Sequence, residues 1–381
     1  MKRFLAVMLA AVMALSLMAG CGGTTPPSSP SGDGGSQSTP PPAEPGKVLK
    51  VANLVNGNLG DKSFFDSAEA GLAALAKDGK IEYKTFEMGA TDADQPRWIA
   101  TLDEVSASGE YDIIICGTFQ MPDYLSTAAD NYPDQKYIIY DSAVDKPNVV
   151  CLNYQQNVMG YLVGTAAALA TSSGMDRTNP EKVIGFVGGE DGPVINDFLV
   201  GFIQGAQDAD PEVKVATQYV GNFWDTAAGK EMASSIINNS KADIVWGVAG
   251  GAGNGAVEAV NELGGWFIGV DSDQEATFSI SQPELAAVTL FSGLKNIGDS
   301  LIWVIDEELN GTTYYGQTLN LGLEENGVGL ATAGNFSKLP KEAQDAVTDA
   351  IAKITAGDIK VLTSFGSEAA DVAKLREAAR P

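Results

Sequence analysis

From residue 48 onward, short apolar runs alternate with stretches in which apolar positions recur every three to four residues. The runs over 49–55, 111–116, 137–140, 183–187, 244–248 and 267–270 are predicted strands. Several are apolar throughout, without the every-second-residue alternation of a half-solvated strand, so both sheet faces should lie under helices. Helical periodicity falls over 63–76, 157–170, 194–209, 227–238, 255–263, 294–309 and 341–355. Strands and helices alternating in this order predict an α/β fold with mostly parallel sheets. The roughly 335 residues of this part exceed what one core usually holds, and no Gly/Pro/Ser linker interrupts them. Two lobes joined by several short crossings are therefore expected.

The first 46 residues follow neither pattern. Lys2 and Arg3 precede an uncharged apolar stretch over 4–18, and the segment closes on Leu17-Met18-Ala19-Gly20-Cys21. This reads as a secretory leader over 1–20, too short for a spanning helix. Its ending resembles the bacterial lipobox, in which the cysteine, here Cys21, becomes the lipidated N-terminus; the alternative is an ordinary leader with an incidental cysteine. Residues 21–46 are mostly Gly, Ser, Thr and Pro, which build no core and predict a flexible tether.

Charge and composition narrow the function. The formal net charge is −25, becoming −27 once Lys2 and Arg3 leave with the leader. Such a surface repels nucleic acid and anionic lipid, so a lipid anchor has to hold the protein to its membrane. The chain has no histidine, which excludes a His-based triad and a His-ligated metal site. Cys116 and Cys151 lie inside apolar runs and read as small buried hydrophobes, with a disulfide between them open.

One segment has two readings. Gly251-Ala252-Gly253-Asn254-Gly255-Ala256 follows an apolar strand, fits the G-x-G-x-x-G/A dinucleotide fingerprint and has Asp271 and Asp273 about twenty residues on. That spacing suits an enzyme using a nicotinamide cofactor. The fingerprint normally opens a domain, however, and about 200 residues of strand and helix precede it here. The other reading is a glycine-rich loop bordering a ligand cleft.

Several motifs carry a family resemblance. Asn58-Leu59-Gly60-Asp61-Lys62-Ser63-Phe64-Phe65, Lys182 to Gly189, Pro193-Val194-Ile195, Phe198 to Phe202, Val248 to Gly255 and Gly269 to Gln274 resemble, in order, the basic membrane protein (BMP) family. Its members are substrate-binding lipoproteins of ABC transporters, similar to purine nucleoside receptor lipoproteins. The resemblance implies a type I periplasmic-binding-protein fold, two Rossmann-like lobes joined by a multi-crossing hinge. It places 48–150 plus 285–310 in an N-terminal lobe and 151–284 plus 311–381 in a C-terminal lobe, with ligand between them.

The same resemblance assigns two aromatic rings to the ligand, at Phe64 and Phe198, an acid contacting the base at Asp123, and a lysine reaching the ligand at Lys295. Read from the residues alone, Phe64 and Phe198 also suit core positions, and Asp123 also suits a helix cap. Asp61 or Ser63 suits an N-cap, while Gly60 would leave helix N–H groups facing the cleft, and Asp61 is therefore also a candidate ligand-binding residue. Asp271 ends a strand, where a carboxylate can accept from both hydroxyls of a sugar; Asp273 does likewise or caps the next turn. Gly250 and Gly251 allow close backbone approach to the ligand. Where the family has Asn-Gln after the phenylalanine, this chain has Phe65-Asp66, and Trp98 and Trp224 add aromatic surface outside the family pattern.

The expectation is a lipid-anchored extracytoplasmic monomer that closes on a small, roughly neutral solute, a purine nucleoside foremost. It passes the solute to an ABC permease, with no cofactor, no metal and no catalysis. A different aromatic or sugar-like solute, a signalling receptor and an NAD-dependent enzyme are the alternatives.

Overall fold

A computed structural model describes residues 48–381. The leader, Cys21 and the tether lie outside the described residues. The chain first lays down β1 (Leu49–Val55), α1 (Phe64–Lys77), β2 (Ile81–Glu87), α2 (Gln95–Ser108), β3 (Ile113–Gly117), α3 (Pro122–Asn131), β4 (Lys136–Tyr140) and β5 (Val149–Tyr154). It crosses to a second unit through α4 (Gln156–Ser172), β6 (Val183–Gly188), α5 (Pro193–Ala209), β7 (Lys214–Tyr219), α6 (Thr226–Ser240), β8 (Ile244–Val248), α7 (Gly253–Leu263) and β9 (Trp266–Asp271). There follow α8 (Gln274–Ser281), α9 (Pro283–Val288) and β10 (Thr289–Lys295). The chain returns to the first unit with α10 (Ile297–Leu309) and β11 (Gln317–Leu321), and ends in the second with β12 (Val328–Leu330), α11 (Lys341–Thr355) and α12 (Ala369–Ala379).

Two six-stranded sheets result, ordered β11-β5-β4-β3-β1-β2 and β12-β10-β9-β8-β6-β7. All pairings are parallel except β10 with β12. The α/β class and the two-lobed build match the sequence expectation, and the all-buried strands β3, β6, β8 and β9 show why the alternation was missing.

Sheet membership corrects the expected lobe limits. β10 pairs with β9 and β12, so 289–295 belongs to the second sheet although the sequence reading gave 285–310 to the first lobe. β11 pairs with β5, which moves 317–321 the other way, and β5 itself carries the first sheet to Tyr154. The apolar run 290–294 merges in sequence with the apolar face of α10, which hides the strand-to-helix junction.

Three strands of chain therefore cross between the sheets, near residues 155, 296 and 322–327. Gln155 and Asn296 adopt nearly the same backbone conformation (φ −84°, ψ 62° and φ −80°, ψ 62°) as they enter α4 and α10. Their N–H groups donate to Leu321 O at 3.0 Å and Gly327 O at 2.9 Å, tying the crossings side by side.

Inside the second lobe, α4 and α5 pack at backbone contact. A Cβ on Gly160 or Gly164 would fall 2.3 or 2.1 Å from carbonyl oxygens of α5, and one on Gly201 or Gly205 would fall 2.0 Å from carbonyl oxygens of α4. This reciprocal pair of G-x-x-x-G spacings fixes α5, and with it Phe198, against the sheet.

Cys116 and Cys151 are free and buried. Both register with Ile139 of β4, which runs between them. Two strand spacings separate their backbones by about 9–10 Å, beyond the reach of a disulfide. Burial pushes the Cys116 thiol far above its ordinary range.

Candidate functional site

Parallel strands end on the same side, and their carboxyl ends in the two lobes face each other across a cavity of about 600 Å³. Its wall is built mostly from residues that end or follow a strand: Asn56 after β1, Thr118, Phe119 and Gln120 after β3, and Asp141 after β4 in the first lobe. The second lobe supplies Glu190 after β6, Phe223 and Trp224 after β7, Gly250 and Gly251 after β8, Asp271 at the end of β9 and Lys295 at the end of β10. Three of these non-glycine residues, Thr118, Asp141 and Asp271, hold φ of 77°, 61° and 64°. Each such left-handed residue costs about 1–3 kcal/mol, and their concentration at the cavity aims the side chains inward at the expense of local strain.

Lys295 forms the hub. Only 1% exposed, its Nζ lies 2.5 Å from Asp141 Oδ1 across the lobe boundary. The same ammonium sits 4.6 Å from the ring centroid of Phe198, 5.7 Å from that of Phe64 and 5.6 Å from that of Tyr154. The structure thus brings Phe64, Phe198 and Lys295 together. Phe198 is seated edge-on to Trp246 at 5.8 Å and Phe64 is tilted on Tyr140 at 5.2 Å, so both rings are held by a second aromatic behind them.

Asp271 lines the cavity at 6% exposure. Its Oδ2 accepts from Ser63 Oγ at 2.7 Å, while Oδ1 has no partner. Burial pushes its carboxyl up, opposed by the Lys295 charge and the Ser63 hydrogen bond. Asn56, 4% exposed, donates to Thr118 Oγ1 at 2.8 Å and to Gln120 Oε1 at 3.2 Å, and its own Oδ1 is likewise unpartnered. Asn254 Oδ1 is a third. A buried acceptor left without a donor costs about 1–3 kcal/mol, so these atoms are poised for donors brought by a ligand.

Asp61 also borders the cavity, but its carboxylate is occupied. It accepts from the N–H groups of Ser63, Phe65 and Asp66 at 3.0, 2.9 and 3.1 Å, closing the amino end of α1. Burial nevertheless pushes it up to about 6. Of the two roles the sequence left open for it, capping is the one its hydrogen bonds serve. Asp273 caps α8 through Ala276 N at 3.1 Å and takes no part in the cavity wall.

Asp123 is a correction. Pro122 starts α3 immediately after the loop, and Asp123 in its first turn is exposed and outside the cavity. Thr118, Phe119 and Gln120, a few residues earlier, hold the place expected for it. Phe65, the departure from the family pattern, lines the wall with its ring packed where a Cβ on Gly57 would be, 2.2 Å away. Phe223 occupies the equivalent space over Gly189, also at 2.2 Å, and meets Phe119 across the cleft at 6.1 Å. Trp224 is 46% exposed at the rim, whereas Trp98 is wholly buried in the first lobe and donates to Gly89 O.

The lobes are closed on one another. The loop Asp61 to Ser63 is gripped by the second lobe through Asn254 Nδ2 to Asp61 O (3.3 Å), Gln274 Nε2 to Lys62 O (3.1 Å) and Ser272 Oγ to Ser63 O (3.0 Å). Gly250 and Gly251 touch this interface, while Gly255 lets α7 approach α6, where a Cβ would lie 1.8 Å from Thr226 O. Close packing thus accounts for Gly255 of the dinucleotide-like motif, whereas a Cβ on Gly253 would meet nothing closer than Gly247 O at 3.6 Å.

Two parallel α/β lobes closed over a cavity at their strand ends define a solute-binding protein of the periplasmic type. Residues 48–364 match the family described as ABC transporter substrate-binding protein, PnrA-like, and the chain belongs to that family. It is 29% identical to the ABC transporter nucleoside-binding protein BmpA of Lactococcus lactis, over 93% of this chain and 98% of that one. An uncharacterised lipoprotein of Pyrococcus horikoshii is 31% identical, with 93% and 85% covered. Among solved structures, an ABC transporter solute-binding protein of Aeropyrum pernix superposes with a TM-score of 0.73 at 26% identity, covering 87% of this chain and 99% of that one. The resemblance read from the sequence motifs is therefore correct.

Proposed function

We propose that this solute-binding protein captures a nucleoside, a purine nucleoside foremost, and delivers it to an ABC permease from a lipid anchor at Cys21. The observation that carries the ligand class is the pairing, in one cavity, of two ring-presenting phenylalanines with buried acceptors that lack donors. Phe64 and Phe198 offer faces for a flat base on either side of the Lys295 ammonium. Asp271 Oδ1, beside that ammonium, offers a charged acceptor to sugar hydroxyls, and Asn56 Oδ1 offers a neutral one to a ring N–H or amine. The Lactococcus lactis relative, named a nucleoside-binding protein, supports the same class. Closure over the solute would present both lobes to the permease together, and the protein acts as a monomer that carries out no chemistry.

Titration calorimetry with adenosine, guanosine, inosine, cytidine and uridine tests this reading. At least one nucleoside binds, and removing the Phe198 ring by Phe198→Ala weakens it; a panel in which no nucleoside binds refutes the ligand class. For the anchor, Cys21→Ala releases the protein from the membrane fraction, and a variant that stays there refutes Cys21 as the attachment point.

A further inference from the structure

The charges around the cavity are lopsided. Asp61, Asp92, Asp141, Glu190 and Asp271 line it, against a single lining cation, Lys295. That cation is already committed to Asp141 at 2.5 Å. Asp92, exposed on the first lobe just beyond β2, and Glu190, half-buried on the second lobe just beyond β6, both belong to the wall. No lysine or arginine among the described residues bridges either; Asp92 receives only the side-chain amide of Gln95, at 3.3 Å.

Glu190 is held above the usual glutamate range by burial and then by the charge of Asp92. The two carboxylates line the same cavity from opposite lobes, Asp92 beyond β2 and Glu190 beyond β6. A second, independent feature points the same way. The buried side-chain atoms of the cavity wall without a hydrogen-bond partner, Asn56 Oδ1, Asn254 Oδ1 and Asp271 Oδ1, are all acceptors. Asn56 and Asp271 are more than nine-tenths buried. The buried part of the wall thus asks its ligand for donors, and the one lining cation is already paired.

We infer that Asp92 and Glu190 act as an anion filter, making the site selective for a neutral or cationic, donor-rich solute and rejecting its phosphorylated form. This rests on the nucleoside reading for the identity of the solute. A phosphate monoester carries about −1.5 to −2 charge and only acceptor oxygens, so closing two lobes around it would set like charges against each other. The cost falls on the closed form, because Asp92 and Glu190 come from different lobes. Discrimination should accordingly show in how well the lobes stay shut, that is, in dissociation rate.

The test is the ratio of affinities for a nucleoside and its 5′-monophosphate, guanosine against GMP and adenosine against AMP, by calorimetry. Using a ratio cancels any general loss of folded protein. The wild type favours the nucleoside by about a hundredfold or more, the size of one strongly repulsive contact. Asp92→Asn with Glu190→Gln narrows the ratio by about tenfold, Asp92→Glu leaves it near wild type, and raising the salt narrows it only where the carboxylates remain. An unchanged ratio in the doubly neutralised protein, or a wild type that takes the monophosphate as tightly as the nucleoside, overturns the filter. If no nucleoside binds at all, the nucleoside reading fails separately. The filter is then judged by mass spectrometry of the solute released from the purified protein: an anionic solute overturns it, and a neutral or cationic one supports it.

Discussion

Replacing Asp271 by asparagine changes one charge and almost no shape. Asp271 holds φ of 64°, a region asparagine also tolerates, so the backbone turn at the end of β9 is preserved. The amide oxygen can still accept from Ser63 Oγ, which spans the lobes at 2.7 Å. What changes is the second atom: an unpartnered carboxylate oxygen facing the cavity becomes an amide donor. A ligand hydroxyl bound there loses a charge-assisted hydrogen bond worth about 1.5–3 kcal/mol, which is roughly a 10- to 150-fold loss of affinity. Calorimetry on four combinations isolates the contact: wild type and Asp271→Asn, each with a nucleoside and with its 2′,3′-dideoxy analogue. The analogue should bind the wild type weakly and lose little more on the variant, because both changes delete the same contact. A variant within threefold of wild type, or losses that simply add, would refute the placement of the sugar at Asp271.

Two further outcomes follow from groups outside direct ligand contact. Asp61 has its carboxyl pushed up to about 6 by burial, so its contribution to stability is fully present below the unfolded value near 4 and is lost as pH rises through about 6. Relative to Asp61→Asn, the wild type should lose about 3 kcal/mol of unfolding free energy between roughly pH 4 and 6.5, measured by urea titration at each pH. A constant difference across that window would contradict the assignment. Gly201→Ala places a Cβ 2.0 Å from Asn157 O and forces α5 off α4. Overpacking of this kind costs about 1–3 kcal/mol, seen as a lowered melting temperature, and an unchanged melting curve would show that the helices can slide apart freely.

What the sequence revealed of the site depended on how local each signal was. Asp271 could be located because an apolar strand runs directly into it, and strand ends face the cleft in parallel sheets. Phe64, Phe198 and Lys295 were found through family motifs; periodicity alone left both rings as core candidates, and both in fact pack against other aromatics. Asp123 was misplaced because nearness to β3 in sequence does not fix rotation: once Pro122 starts α3, the next side chain points outward. Asp141 could not be paired with Lys295 from sequence, since 154 positions separate them and only the closing of the lobes brings them together. Phe65 over Gly57 and Phe223 over Gly189 are likewise tertiary matches of a ring to a missing side chain, with no short-range pattern. The lobe limits failed at β10 because a buried strand and the apolar face of the next helix read alike when a single residue, Asn296, separates them.

The proposed solute position lies between Phe64 and Phe198, with the solute's hydroxyls on Asp271. A crystal structure of the protein grown with a nucleoside measures it most directly. The base should stack against the two rings with a sugar hydroxyl about 3 Å from Asp271 Oδ1, and the Lys295–Asp141 pair should stay intact beside it. Nucleoside density anywhere else, or a base turned so that Asp271 Oδ1 remains without a donor, would contradict it.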